Sequence, residues 1–164
     1  MTVPNRAVPR MLGLIEASLL TLWLGAALFF ALVVAPAAFA VLPSAALAGS
    51  LVGRVLPALF VAGTVVGTLV LGLELRWPRE RTPVRMLAAG VILTTCAGAQ
   101  LVVGSRMRHL RAEARAPISA LAPADPRRVA FGRLHALSVG ALGAAMLAAG
   151  GAVLTVARGP GVRA

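Results

Sequence analysis

The sequence predicts an all-α fold, a polytopic membrane protein built as an antiparallel four-helix transmembrane bundle. Three observations predict it. First, residues 11–34, 55–73, 86–105 and 134–157 contain no Lys, Arg, Asp or Glu apart from Glu16. A helix rises about 1.5 Å per residue and the hydrocarbon core is about 30 Å thick, so about 20 apolar residues cross it. Second, 59% of the chain is hydrophobic and the mean hydropathy is +0.90, against the roughly 45–50% apolar share of a soluble domain. Third, the links between the apolar runs are short, which makes consecutive helices antiparallel neighbours. The 164 residues therefore form one membrane domain, with helices at about 11–34, 52–75, 85–105 and 130–157.

The first helix is expected to begin near Pro9 and run to about Val34, with Pro36 bending or ending it. Leu42-Pro43-Ser44 marks a turn, and Ser44 suits the N-cap of a short helix leading into the second span. That span ends at Glu74, with Trp77 at the height of an interfacial aromatic. Arg76 to Arg85 is a polar link holding Pro78 and Pro83. The third helix is expected to continue past the membrane over residues 106–116 as an amphipathic extension. Met107, Leu110 and Ala114 lie on one side and Arg108, Arg111 and Arg115 on the other, and Pro117 stops it. Asp125 as N-cap and Pro126 at the first helical position open the fourth helix. The Gly-Pro-Gly from Gly159 closes it and should fray. Small residues at four-residue spacing, Gly49 with Gly53, Gly63 with Gly67 and Ala136 with Gly140, suit close helix approach in lipid, although a chain this rich in Ala and Gly produces such pairs by chance.

Charge and motifs exclude several function classes. All 16 basic residues are Arg, and the net charge is +11. In a soluble chain that balance would point to nucleic acid. Here the Arg residues flank apolar runs and no aromatic residues interleave with them to stack bases, so the expected partners are the lipid bilayer and anionic lipid headgroups. Cys96 is the single cysteine; it cannot form an intramolecular disulfide and reads as a small packing residue. Arg6, Arg10 and Ala38-Phe39-Ala40 imitate a signal peptide, but the apolar run is too long for a signal core and holds Glu16, so it reads as a retained span. No phosphate loop, paired-Cys metal motif or nucleophile elbow occurs. The expectation is a non-enzyme without metal or cofactor.

Alternating spans sort the polar residues onto two faces. Side A, which holds the N-terminus, receives Glu16, Glu74, Arg76, Arg85 and Arg158. Side B receives Arg54, Gln100, Arg106, His109, Arg128, Arg133, His135 and Ser138. A candidate polar site therefore falls in a side B vestibule, where Gln100 near the end of span three faces His135 and Ser138 at the start of span four, with Arg54 and Arg106 beside them. Each residue also has a plainer reading: Arg54 reaching headgroups, His135 bonding a neighbouring helix, Gln100 holding helices together, His109 on a solvated face. Glu16, an intramembrane carboxylate, is either a structural partner for a side A Arg or a proton or cation site. The Arg residues split evenly between the faces. Arg6 and Arg10 before the first span, and a following connection uncharged until Arg54, favour a cytoplasmic N-terminus in the cell inner membrane.

Trp23-Leu24-Gly25, Ala35-Pro36 with Phe39, Leu42-Pro43, and Gly49 through Arg54-Val55-Leu56-Pro57 resemble the N-terminal half of the transmembrane-protein-205-like family. Its bacterial members usually carry a domain-of-unknown-function label. Phe131-Gly132-Arg133-Leu134-His135-Ala136-Leu137-Ser138 is similar to that family's Phe-x-x-x-His-Gly-Leu-Ser signature, and Arg106 matches a basic residue after span three. Ala136, and Gly140 to Gly143, depart from the Gly and Asn often found there. The resemblance implies a four-helix membrane domain without an established reaction. The chain also looks distantly like copper-resistance and haem-biosynthesis membrane bundles, but its first three spans contain no His. Three classes follow: a structural or partner-binding component, including a homo-oligomer or a docking site for another membrane protein on the Arg-rich extension; a small-solute or metal-ion transport protein using the side B residues; and, disfavoured by the scarcity of ligands, a haem- or metal-binding redox protein.

Overall fold

The structure, a computed structural model, describes residues 7–77, 83–114 and 116–157. These residues are all-α, with no strand among them. Helices α1 (Ala7–Phe29), α2 (Ala35–Val41), α3 (Ala45–Arg76), α4 (Pro83–Gly98), α5 (Gly104–Glu113) and α6 (Pro126–Ala157) make four rods. Phe30–Val34 joins α1 to α2 as a π-helical turn, Ala99–Val103 does the same between α4 and α5, and α3 and α6 each stand alone. Each rod is long and apolar enough to cross a bilayer. The rods pack in a ring, α1 on α3, α3 on α4, α4 on α6 and α6 on α1. The protein is thus a multi-pass membrane protein whose outer surface contacts lipid, and large apolar side chains such as Leu22, Leu32 and Leu147 are exposed on it.

Pro36 neither ends nor visibly interrupts the first rod, contrary to expectation. Proline lacks an N–H and its ring crowds the carbonyl four residues back. The π turn just before it widens the backbone, with Ala35 N–H bonding Phe30 O five residues back, and the helix resumes to Val41. Pro57 lies inside α3, which remains helical through it. Ser44 Oγ accepts the Leu47 N–H at 3.3 Å and caps the whole 32-residue α3, not a separate short helix. At the other end of span three, α5 stops at Glu113 with Ala114 already extended, short of Pro117. The residue before a proline, here Ala116, is pushed out of the α region, so the helix cannot run up to Pro117. Asp125 Oδ1 accepts the Arg127 N–H at 2.8 Å as α6 begins at Pro126. The link residues around Pro78 and the Gly-Pro-Gly at Gly159 lie outside the described residues.

The core is thin and built of small residues. Leu20 and Trp23 from α1, Phe60 and Val70 from α3, Ile92 and Cys96 from α4, and Ala145, Ala149 and Ala152 from α6 are buried in one cluster. Three rods meet at Gly63: a Cβ there would lie 2.6 Å from Cys96 Sγ and 2.9 Å from Trp23 Nε1. Trp23 Nε1 also donates to Leu59 O at 3.0 Å, which satisfies the indole in a medium without water. One turn on, a Cβ on Gly67 would lie 2.8 Å from the Leu93 backbone nitrogen. Gly63 and Gly67 are therefore a contact pair, whereas Gly49 and Gly140 meet nothing within 4 Å.

Candidate functional site

Polar groups gather at both ends of the bundle, and the better-connected set is at side A. Glu16 lies about three turns into α1, Glu74 near the end of α3 and Arg85 near the start of α4. Antiparallel rods bring these to one level. Arg85 Nη1 lies 3.1 Å from Glu16 Oε2 and Arg85 Nε 2.7 Å from Glu74 Oε1. Glu16 is 4% exposed and Glu74 2%. An isolated charge in the membrane costs about 2.5–3.5 kcal/mol on insertion scales, so one guanidinium between two buried acids is needed to hold them there. A cavity of about 60 Å³ touches all three groups and is closed by Leu12, Gly13, Leu73 and Trp77. Glu16 was legible as an intramembrane acid. Its company was legible only in part: Glu74 closes one charge-free run and Arg85 precedes another, which puts both at the height of Glu16, but sequence does not say that they turn inward.

At side B, Gln100 and Ser138 line one cavity of about 100 Å³ together with Gly53, Pro57, Met107, Arg108 and Arg111. Gln100 belongs to the Ala99–Val103 π turn, and such turns often mark functional positions. Ser138 is 3% exposed and its hydroxyl donates to Leu134 O at 3.2 Å, with Met107 Sδ at 4.0 Å. The other three candidates do not join them. Arg54, Arg106 and His135 are exposed, and His135 makes no side-chain hydrogen bond among the described residues. Three residues before Ser138, its side chain is turned about 60° round the helix and one turn nearer the surface. His109 is exposed as well.

Sequence reasoning set Arg111 on the polar side of the helix-three extension and not in the candidate site, yet it is the side chain at the centre of this end. Arg111 lines the 100 Å³ cavity and also a larger one of about 540 Å³, between the start of α3 and the loop after α5, walled by Ala46, Gly49, Ser50, Ile118 and Phe131. Its guanidinium carbon stands 5.1 Å from the Phe131 ring centroid, a cation–π contact of about 0.5–1 kcal/mol at an exposed site. A Cβ on Gly53 would lie 2.9 Å from Arg111 Nη2, so the guanidinium of α5 rests directly on α3 at this glycine. Among the described residues, neither Arg111 nor Arg108 makes an ion pair or a side-chain hydrogen bond.

The loop beside this cleft is fixed by its own ions. Arg127 Nη2 lies 2.9 Å from Asp125 Oδ2, and Arg128 Nη1 donates to Leu121 O at 2.6 Å. The side-chain hydrogen bond from Arg127, joined by its backbone N–H, holds the Asp125 carboxyl at about 2, below its ordinary range. The same pairing pushes the Arg127 guanidinium up.

The matched family is described as a domain of unknown function, DUF4149, and the match covers residues 18–116. The chain belongs to that family. No curated protein matches it, and no solved structure does. The DUF4149 segment takes in Trp23, Gly63, Gly67, Glu74, Arg85, Gln100 and Arg111. It ends before Phe131 to Ser138, so the side B cleft is completed by residues beyond it.

Proposed function

We propose that this DUF4149 protein is a structural, partner-binding membrane component, not an enzyme, whose side B cleft seats an anionic lipid headgroup. The observation that carries this reading is the position of Arg111. It stands between two cavities, over the Phe131 ring and close against Gly53, and no acidic side chain among the described residues neutralises it. A rod of 32 residues is about 48 Å long, against about 40–45 Å for a bilayer with its headgroups. The ends of α3 and the arginines of α5 thus fall at the height of lipid phosphates. Arg111 and Arg108 offer forked donors to a phosphate, Gln100 adds an amide, and the apolar wall of Ala46, Ile118 and Phe131 suits the start of an acyl chain. Arg54 and Arg106 at the rim add attraction to an anionic surface, at about 1 kcal/mol per arginine.

The test is thermal unfolding in detergent with added phosphatidylglycerol, phosphatidylcholine or inorganic phosphate. Phosphatidylglycerol should raise the midpoint, phosphatidylcholine should not, and Arg111→Gln should abolish most of the gain. Equal stabilisation by both lipids, or a gain untouched by Arg111→Gln, would sink the reading. A gain from inorganic phosphate alone would transfer the site to a free anion.

A second reading, transport of a small solute, draws support from Gln100 and Ser138, which line the inner cavity from adjacent rods. On that reading His135 serves at the rim, and Gln100→Ala should abolish flux into proteoliposomes while leaving lipid binding intact. We further read the family membership as kinship with the transmembrane-protein-205-like proteins, on the residues from Trp23 to Pro57 and Phe131 to Ser138. The location that fits the first span is the cell inner membrane with the N-terminus in the cytoplasm, since Arg6 and Arg10 precede that span and its following link is uncharged until Arg54.

A further inference from the structure

We infer, resting on the headgroup reading above, that the side B cleft selects a lipid with a terminal phosphate monoester, of the phosphatidic acid type, over phosphodiester lipids. Two glycines each carry an arginine head at the wall of the same cavity of about 100 Å³. At Gly53 of α3 a Cβ would lie 2.9 Å from Arg111 Nη2 and 3.0 Å from Arg111 Nη1. At Gly104, the first residue of α5, it would lie 3.3 Å from Arg108 Nη1 and 3.9 Å from Gln100 Oε1. Two guanidinium groups and one amide therefore border one small space. Among the described residues, no Asp or Glu lines this cavity or the one of about 540 Å³ that Arg111 shares with it. The acids of this end lie elsewhere: Asp125 pairs with Arg127 at 2.9 Å, and Glu113 is exposed.

Charge separates the two phosphate classes. A diester phosphate carries one negative charge and has two free oxygens. A monoester carries about −1.5 to −2 at pH 7 and has three strong acceptor oxygens. Two forked guanidinium groups match the monoester and leave a positive charge over with the diester. Shape separates them in the same direction. A diester must run on from both sides, into its acyl chains and into its alcohol. The outer cavity, walled by Ala46, Ile118 and Phe131, takes the acyl side. On the core side the inner cavity is closed by Leu56, Pro57, Phe60 and Ala99, of which Phe60 and Ala99 are buried. The Ser138 hydroxyl there already donates to Leu134 O at 3.2 Å. A glycerol headgroup would press its hydroxyls against that apolar wall, at the cost of burying unpaired polar groups, whereas a monoester stops at the arginines.

Native mass spectrometry of the whole chain in detergent tests this, with phosphatidic acid and phosphatidylglycerol of identical acyl chains competing at equal concentration. Phosphatidic acid should win by about tenfold, the worth of one further charge-assisted hydrogen bond. Arg108→Gln should bring the ratio close to one while phosphatidylglycerol still binds, and Arg111→Gln should weaken both lipids. Arg133→Gln removes an exposed α6 arginine that lines neither cavity and should leave the ratio unchanged. If it lowers the ratio as far as Arg108→Gln does, the preference is one of bulk charge and the proposal falls. Equal occupancy by the two lipids, with phosphatidylcholine excluded, overturns the monoester preference and leaves the headgroup reading standing. Occupancy by neither lipid above that of phosphatidylcholine removes both. Displacement of phosphatidic acid by an equal concentration of glycerol 3-phosphate also overturns the proposal, since the ligand would then be a free phosphate monoester. The wild-type ratio decides on its own if a variant fails to fold.

Discussion

At Gly67 the missing side chain is what lets α3 and α4 touch backbone to backbone, because a Cβ would sit 2.8 Å from Leu93 N and 3.1 Å from Ala89 O. Neither neighbour is a flexible side chain that can step aside, so Gly67→Ala must push two rods apart. It should cost about 1–3 kcal/mol, the range for overpacked cores. Gly72→Ala, where nothing lies within 4 Å, should be neutral or slightly stabilising through helix propensity. Unfolding of both variants in mixed micelles checks the contrast; equal losses would mean that the close approach is not what holds the bundle. The same pair shows what a residue's number can and cannot reveal. The four-residue spacing is alike at Gly63–Gly67, Gly49–Gly53 and Ala136–Gly140, and only the rotation of each helix, set by partners far along the chain, makes the first a contact and leaves Gly49 and Gly140 open. Rotation also separates Ser138, turned in, from His135, turned out.

Among the elements, the existence of the four rods was legible because a charge-free run in lipid has one way to satisfy its backbone, but their bounds were not, since the first runs on past Pro36 and the second begins already at Ala45. Nor were their internal irregularities. A π turn is one residue spread over a helical turn, and nothing in Phe30–Val34 or Ala99–Val103 distinguishes its composition from the flanking turns. This predicts an asymmetry in how the rods tolerate deletion. Removing Leu101, exposed within the second π turn, should let α4 and α5 fuse into one α-helix with Met107 and Arg111 still facing α3 and α6. Removing Leu147, equally exposed but in regular α6, turns everything beyond it by about 100° and takes Ala149 and Ala152 out of the core. Thermal unfolding should find the first deletion mild and the second severe, and the reverse order would show that the π turn is required for packing.

For the whole molecule, arginine on both faces leaves orientation to the first span alone. A single cysteine placed at Ala124, exposed in the loop before α6, reads it directly, since the native Cys96 is fully buried and gives little background. With a cytoplasmic N-terminus, a membrane-impermeant maleimide should label Ala124→Cys in intact cells; labelling only after lysis would reverse the topology and move the lipid cleft to the inner leaflet.

The acid–base cluster at side A also has a history in time. Synthesis runs from the N-terminus, so Glu16 is made 69 residues before Arg85 and 58 before Glu74, by the difference of their positions. While the first span is alone in the membrane it carries an acid with neither of its two later companions. Glu16 lies near enough to the end of that span to reach outward to the headgroups in the meantime. In the finished bundle Arg85 pairs with that acid across the helices. The cluster thus ties the birth order of the helices to their final embrace: its charges meet only when the third rod is in place, and the ring closes with the fourth.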